Sequence, residues 1–430
     1  MVKPGHDTGQ VIIIVALALP VLLGIMALAI DIEYLRNIQQ RMQAAADAAA
    51  LAGAAELAYG TAATAARTDA AKNGFTHNVN GVTVTVNNPP VESVTFNGLL
   101  QYTEVIITQS RPTYFMKIFG WGSVPVKARA VGFLGNGPNC MYALSGSDSA
   151  AIKLTPAGGY AVKANCGLII DSSSSSALKT DGNTLTADSI GIVGGCNDCG
   201  SNVTPPPDTG ILPVLDPLAY VPEPTPSGTV RADPKISAPG SYTIQPGIYS
   251  SGITLSYVSG KAGPDVTFAP GEYYITGGTF NVDSPGTNND GTDGLAYRHV
   301  NIHGSGVFIY LGPNANVAYQ GGNGHFANSY GGLIAQTTGT YAGILFFQSR
   351  ATASYTAALS SGLGDGYTGT LYFPSVSLKY MNSKPNAAQY MITVAQTIEL
   401  YRDMTTLQTI NYDTSGLANG SPIKKAVLVE

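Results

Sequence analysis

The chain has 430 residues, room for two or three domains. Charged side chains make up only 11% of it, against a usual share of about 25%. The net charge of −5 and the lack of any basic run argue against nucleic acid as a partner. A hydrophobic content of 44% excludes a disordered chain, and 51 glycines among frequent Tyr, Thr, Ser and Asn suit short strands closed by tight turns.

Residues 1–9 are a short amino terminus, followed by a candidate transmembrane helix at 10–30. Val11 to Ile30 is uncharged and almost wholly apolar, long enough at about 1.5 Å per residue to cross a bilayer core of about 30 Å. Ala27-Leu28-Ala29 imitates a signal cleavage site. However, a secretory apolar region runs to only about 7–15 residues, and the helical pattern here continues through Asp31, which predicts a retained anchor. No lipid-modification motif is evident. Pro20 removes one backbone hydrogen bond in mid-span and predicts a kink there. Lys3 precedes the run while Arg36 and Arg41 follow it, so basic residues alone do not set its orientation. The cysteines and the neutral, β-rich body do: the short amino terminus is expected inside and the body outside.

An alanine-rich helix is predicted to continue over residues 31–73. Leu35, Ile38, Met42, Ala45, Ala49 and Ala52 recur on one narrow face, and with Pro20, Gly24 and Asp31 they form the candidate membrane and helix interface. Two readings stay open for that face: packing on the chain's own domain, or docking of other long helices, which small residues allow.

The order Gly9-Gln10, Ala16-Leu17-Ala18-Leu19-Pro20-Val21-Leu22-Leu23-Gly24, Asp31, Leu35 and Arg41-Met42-Gln43-Ala44-Ala45-Ala46-Asp47-Ala48-Ala49-Ala50-Leu51-Ala52-Gly53-Ala54 resembles the amino-terminal segment of TadE/TadG-like proteins. These are membrane-anchored components of bacterial Tad (Flp, tight-adherence) pilus assembly, and the resemblance covers about fifty residues. The region from Cys140 to Cys196 and the strands beyond it also look like the exported part of TadG-type members. Pilins and pseudopilins carry a glutamate five residues after the glycine at their cleavage point; here Ile14 stands at that distance from Gly9, so the anchor resembles TadG and not a processed pseudopilin. The resemblance implies a single-pass protein of the bacterial inner membrane with its body in the periplasm. Its partners would be the lipid bilayer, other Tad assembly proteins or pilins, and envelope components or glycans.

Residues 74–134 read as a small α+β module. Strands are expected at Val82–Val86, Ser93–Phe96, Tyr102–Thr108 and Val124–Phe133, with a helical turn at Tyr114–Phe119, and Trp121 is expected in the core. Residues 135–430 read as a parallel β-helix-like solenoid. Thr243-Ile244-Gln245-Pro246-Gly247-Ile248-Tyr249 aligns with Thr267-Phe268-Ala269-Pro270-Gly271-Glu272-Tyr273, a repeat of strand, Pro-Gly turn and Tyr, and further strand-like units follow at 306–311, 343–347 and 370–373. A β-sandwich is the competing architecture. Ten prolines between 204 and 240 cannot serve a central ladder and predict an external strap. The fold class is therefore mainly β, with an amino-terminal transmembrane and extended helix, the small module and then the solenoid.

Four cysteines, Cys140, Cys166, Cys196 and Cys199, suit disulfides in an oxidising compartment. Of three possible pairings, Cys140–Cys166 with Cys196–Cys199 is preferred for proximity along the chain, and the other two stay open. Cys196-x-x-Cys199 lacks the second pair a zinc site needs and the βαβ setting of a thioredoxin-like motif. Asp171, Ser173 and Ser175 spell the metal string of von Willebrand A domains, yet no alternating helices follow, and a serine-rich solenoid turn accounts for them better. Asp283, Asp290 and Asp293, beside Glu272, are a weak calcium candidate whose composition turn chemistry also explains. Asp290, Asp293, Arg298, His299 and His303 are the candidates for a carbohydrate-active centre, but the remaining elements of a polygalacturonase-like site are missing. No P-loop, dinucleotide fingerprint or Gly-x-Ser-x-Gly occurs. The expectation is a non-enzymatic structural protein without a cofactor, with an anchored polysaccharide-active enzyme or a glycan-binding adhesin as the alternatives.

Overall fold

The computed structural model of the chain describes residues 8–155, 158–256, 258, 263–283, 300–318, 332–360, 367–382, 388–402, 407–418 and 420–430. They divide into two compact units, Met1–Gly135 with Lys424–Glu430, and Asn136–Ile423.

In the first unit, helix α1 runs unbroken from Thr8 through Pro20 to Ala55. The single helix expected over 31–73 ends there. A 3-10 turn at Leu57–Tyr59 leads into Gly60, whose left-handed φ of 72° reverses the chain. Helix α2, Ala62–Lys72, then packs against α1 through Ala62, Ala66 and Ala70. Close approach is possible because Gly53 has no Cβ; one there would lie 2.9 Å from Thr103 Cγ2 and 3.3 Å from Ala66 Cβ. Strands β1 (Val82–Asn87), β2 (Tyr102–Pro112) and β3 (Ser123–Asn136) form an antiparallel sheet, whose fourth strand is Lys424–Leu428, next to β3. The last seven residues thus belong to this unit and not to the solenoid in which the sequence placed them. Helix α1 lies on the sheet so closely that a Cβ at Gly132 would be 2.3 Å from the Ala50 carbonyl oxygen.

Ser93–Phe96, expected as a strand, is irregular. Just ahead of it the chain meets Glu104, buried on β2. Its carboxylate accepts hydrogen bonds from the amides of Val91 (3.0 Å) and Glu92 (3.1 Å), from Asn87 Nδ2 (2.9 Å) and from Arg129 Nη1 (3.0 Å). The backbone at Val91 and Glu92 thus wraps this charge. Burial works against ionisation of Glu104, but those donors outweigh it and hold the carboxyl below its usual range.

The second unit is a parallel stack, which excludes the sandwich: every strand-to-strand ladder among its described residues is parallel. The chain enters this stack in the middle. Asn139–Ala143 pairs with Gly167–Ile170, that with Ser189–Ile192, and that with Asp208–Thr209 at one end. From the other end, Gly247–Tyr249 pairs with Gly271–Asp283, followed by Asn301–Ala318, Ile344–Gln348, Gly369–Asn382 and Met391–Arg402. The last of these closes on the first, with Thr393 opposite Met141 and Ala395 opposite Ala143. The repeat read from the sequence is realised with a twist: Thr243 faces Thr267, but after the Pro-Gly turn Gly247 faces Tyr273 and not Gly271. Gly247 and Gly271 have φ of 149° and 139°, conformations that favour glycine, and the Tyr249 and Tyr273 rings still stack at 6.2 Å.

The proline-rich segment is the strap that this order of rungs demands, since it must carry the chain from one end of the stack to the other. It crosses the rungs in sequence. The Ile211 amide donates to Ile192 O (3.3 Å) and the Val214 amide to Asp171 Oδ1 (2.9 Å). Asp216 accepts from the Tyr372 hydroxyl (2.5 Å), Leu218 O and Val221 O accept from Arg350 Nη2 (2.8 and 3.0 Å), and Glu223 accepts from the Tyr310 hydroxyl (3.0 Å). Val230 then bridges to Ile248. Arg350 also lies over the rings of Phe347 and Tyr372, at 5.1 and 5.2 Å. Burial raises the Tyr372 phenol, which keeps it a neutral donor to Asp216.

Aromatic rings fill the interior of the stack. Phe346 has no exposed surface and meets Phe280, Tyr367 and Phe373 at centroid distances of 5.6, 5.9 and 6.2 Å. Phe346→Ala should destabilise this unit by about 3–5 kcal/mol, read as a lower denaturant midpoint of the circular dichroism signal. Arg350→Ala should leave the rungs intact yet free the strap, read as faster limited proteolysis within residues 205–230.

Candidate membrane anchor and assembly helix

Helix α1 has two halves of opposite character. Its apolar side chains from Ile12 to Met26, and Ile30, stand exposed, while its later half is buried against the sheet. The helix has a mean hydropathy of 2.9 over its most apolar window, long and apolar enough to cross a membrane. The transition falls at Asp31. This side chain is buried, and its carboxylate accepts hydrogen bonds from three consecutive amides, Tyr114 (2.9 Å), Phe115 (2.8 Å) and Met116 (2.6 Å). These amides open the 3-10 turn Met116–Phe119, so the carboxylate satisfies donors that the turn itself cannot. Burial opposes the charge, but the three amides and nearby Lys117 prevail and hold the carboxyl below its ordinary value of 3.8.

The two readings of the helical face are now separated. Ile38, Met42, Ala45 and Ala49 are buried with Val84, Val105, Ile107 and Ala130 in the core of their own unit, and Leu35 packs on that core. Ala52 is half-buried. Gln43 Nε2 reaches across to Arg129 O (2.8 Å) and also donates to Asp47 Oδ1 one turn on in α1 (2.7 Å). That face is covered by the chain's own sheet and is not free for other helices. Pro20 and Gly24 lie in the uncovered half, where a Cβ on Gly24 would meet nothing within 4 Å.

The structure joins Cys140 to Cys166 and Cys196 to Cys199. Between the second pair, Asp198 accepts from the amides of Thr180 (2.9 Å) and Asp181 (2.7 Å), so this loop ties adjacent coils. Asp171, Ser173 and Ser175 do not assemble as a metal site. Asp171 anchors the strap, and Ser173 Oγ donates to Gly146 O (2.9 Å). Burial raises the Asp171 carboxyl. Asp283 ends a strand, while Asp290, Asp293, Arg298 and His299 lie outside the described residues. Among the described residues no group of three His, Cys, Asp or Glu could hold a metal ion. His303 Nε2 lies 3.0 Å from Asp265 Oδ1 on the neighbouring rung, both half exposed, beside an open groove lined also by Thr267, Ser305, Thr368 and Gln389.

Sequence reasoning missed the Asp31 latch, the Glu104 cluster and the strap contacts of Arg350. An acidic residue directly after an apolar run was the available signal for the first. The Glu104 cluster depends on partners 12 to 25 residues away, and the strap contacts of Arg350 on partners more than 100 residues away.

The arrangement defines a parallel β-solenoid and a small helix-and-sheet unit that carries a long, apolar amino-terminal helix. Residues 9–56 match the family model described as Flp pilus-assembly TadE/G-like, and this segment coincides with α1 almost end to end. No curated protein and no solved structure matches the chain.

Asp31→Ala should speed amide exchange at Tyr114, Phe115 and Met116 about tenfold or more relative to the rest of the sheet unit. Because the native carboxyl is depressed, its contribution should be complete above pH 3.8 and lost as pH falls through the lower native value. Exchange at these amides, corrected for its intrinsic rate, should show that loss in the native chain and not in Asp31→Ala.

Proposed function

We propose that this protein is a membrane-anchored structural component of Tad-type (Flp) pilus assembly or bacterial adhesion, acting by protein–protein assembly and without catalysis. It is a single-pass protein of the bacterial inner membrane, with its amino terminus inside and its body in the periplasm. The observation that carries this reading is the coincidence of the family match at 9–56 with a helix whose first half is apolar and uncovered. Two disulfides support an oxidising compartment for the body. With the later half of α1 docked on its own sheet, contacts with pilus components fall to the membrane half, where Gly24 leaves room for close helix approach, and to the surface of the solenoid. A strain lacking the protein should lose its Flp pili. The full chain should restore them, and a chain without residues 10–30 should not, as counted by electron microscopy. Normal pili in the deletion strain would sink the assembly role.

A second reading, an anchored glycan-binding adhesin or polysaccharide-active enzyme, is favoured by the groove beside His303 and Asp265. Turnover of an acidic polysaccharide that disappears in His303→Ala would replace the structural reading with the enzymatic one. Binding without turnover would favour the adhesin.

A further inference from the structure

Trp121, expected in the core, is 61% exposed, and it is not alone. Tyr114, Phe115, Ile118 (76% exposed) and Phe119 (65% exposed) share its turn, so five large apolar or aromatic side chains crowd eight residues of surface. Such a patch facing water is unfavourable and marks a surface that something covers. The turn is nonetheless a closed structure. The Thr113 amide donates to Gly122 O (3.2 Å), the Trp121 amide to Met116 O (3.2 Å) and the Gly120 amide to Lys117 O (3.1 Å), with Gly120 at φ 90°. Its exposed side chains are therefore presented by a built loop.

The position of the loop identifies what covers it. Its first three amides are bonded to Asp31, the residue that directly follows the apolar run ending at Ile30. The Tyr114 ring also meets Tyr34 of α1 edge-on at 5.4 Å. The loop is thus held where α1 leaves its uncovered apolar half, at the level of a membrane surface. Tyr and Trp prefer that level, because an apolar ring body and a polar tip suit the headgroup boundary. Exposed Lys117 in the same turn, and Arg36 one turn further along α1, supply cations for lipid phosphates.

We propose that residues 114–121 are a second membrane contact: the loop seats Ile118, Phe119 and Trp121 in the headgroup–acyl boundary of the bilayer that α1 crosses. The proposal rests on the reading of α1 as a membrane span. Two contacts, joined through Asp31, fix the tilt and rotation of the first unit on the membrane, where one helix alone would leave it free to swivel.

Trp121 is the only tryptophan, so its fluorescence reports on this loop alone. The full chain is reconstituted in phosphatidylcholine–phosphatidylglycerol vesicles, with lipids brominated near the headgroup or near the chain end, and flotation is measured alongside. The expected result is cofloating protein, with Trp121 quenched most by shallow bromines and shielded from aqueous iodide about tenfold. Ile118→Ser with Phe119→Ser, both exposed and free of core contacts, should cut the bromolipid quenching by about half while circular dichroism stays unchanged. Cofloating protein whose Trp121 is open to iodide, or shielded from both quenchers as beneath a protein partner or a second copy, would overturn the loop contact and leave the anchor standing. Unchanged quenching in the double variant would also overturn it, since Trp121 would then sit near lipid merely as a passenger of α1. Protein that fails to float would remove both the anchor and the loop contact.

Discussion

A parallel ladder leaves each strand dependent on the rungs before and after it, and in this solenoid the chain joins that stack at an inner rung. Asn139–Ala143 has Gly167–Ile170 on one side and Met391–Arg402 on the other, though the latter is some 250 residues later in the chain. From this the remaining organisation of the body follows. The chain builds outward to Asp208–Thr209, must cross to the far end, and builds back until its last coil closes on its first. Proline suits the crossing because a strap needs an extended chain that does not compete for ladder hydrogen bonds. Asp171, Tyr372, Arg350 and Tyr310 meet the strap in the order in which it passes them, so it is fastened rung by rung.

The first unit solves a different problem, that of a helix which must be apolar all round in one half and one-sided in the other. An all-round apolar surface suits lipid, and a one-sided one suits an adjacent sheet. Asp31 marks the change. It is a buried carboxylate that three amides satisfy, and in being satisfied it brings the turn at Met116–Phe119 to the foot of the apolar run. Below that point α1 is a bare hydrophobic rod, and above it alanine and Gly132 allow backbone-to-backbone approach to the sheet.

Several features were legible because they depend on neighbours in the chain. The apolar run, the helix across Pro20, the strands of β1, β2 and β3, the Pro-Gly turns and the strap all express local composition or period. What escaped expresses distance. Trp121 lies at the surface on a loop pinned to a helix some 85 residues earlier, and Arg350 reaches a strap more than 100 residues away. The small-residue face of α1 was equally suited to a sheet or to other helices, and composition could not choose between them.

From the sequence alone it was settled that a β-rich body of short repeating strands follows an apolar helix of membrane-spanning length, and which fifty residues carry the family likeness. These are matters of period and composition, and they survive without knowledge of contacts. The tertiary structure alone decided that the chain enters its solenoid in the middle, that the last seven residues return to the first unit, and that α1 spends its alanine face on its own sheet. Each of those outcomes is a choice among partners far apart in the chain. Burial and hydrogen-bond satisfaction settle such choices, and neither is written in any local stretch of residues.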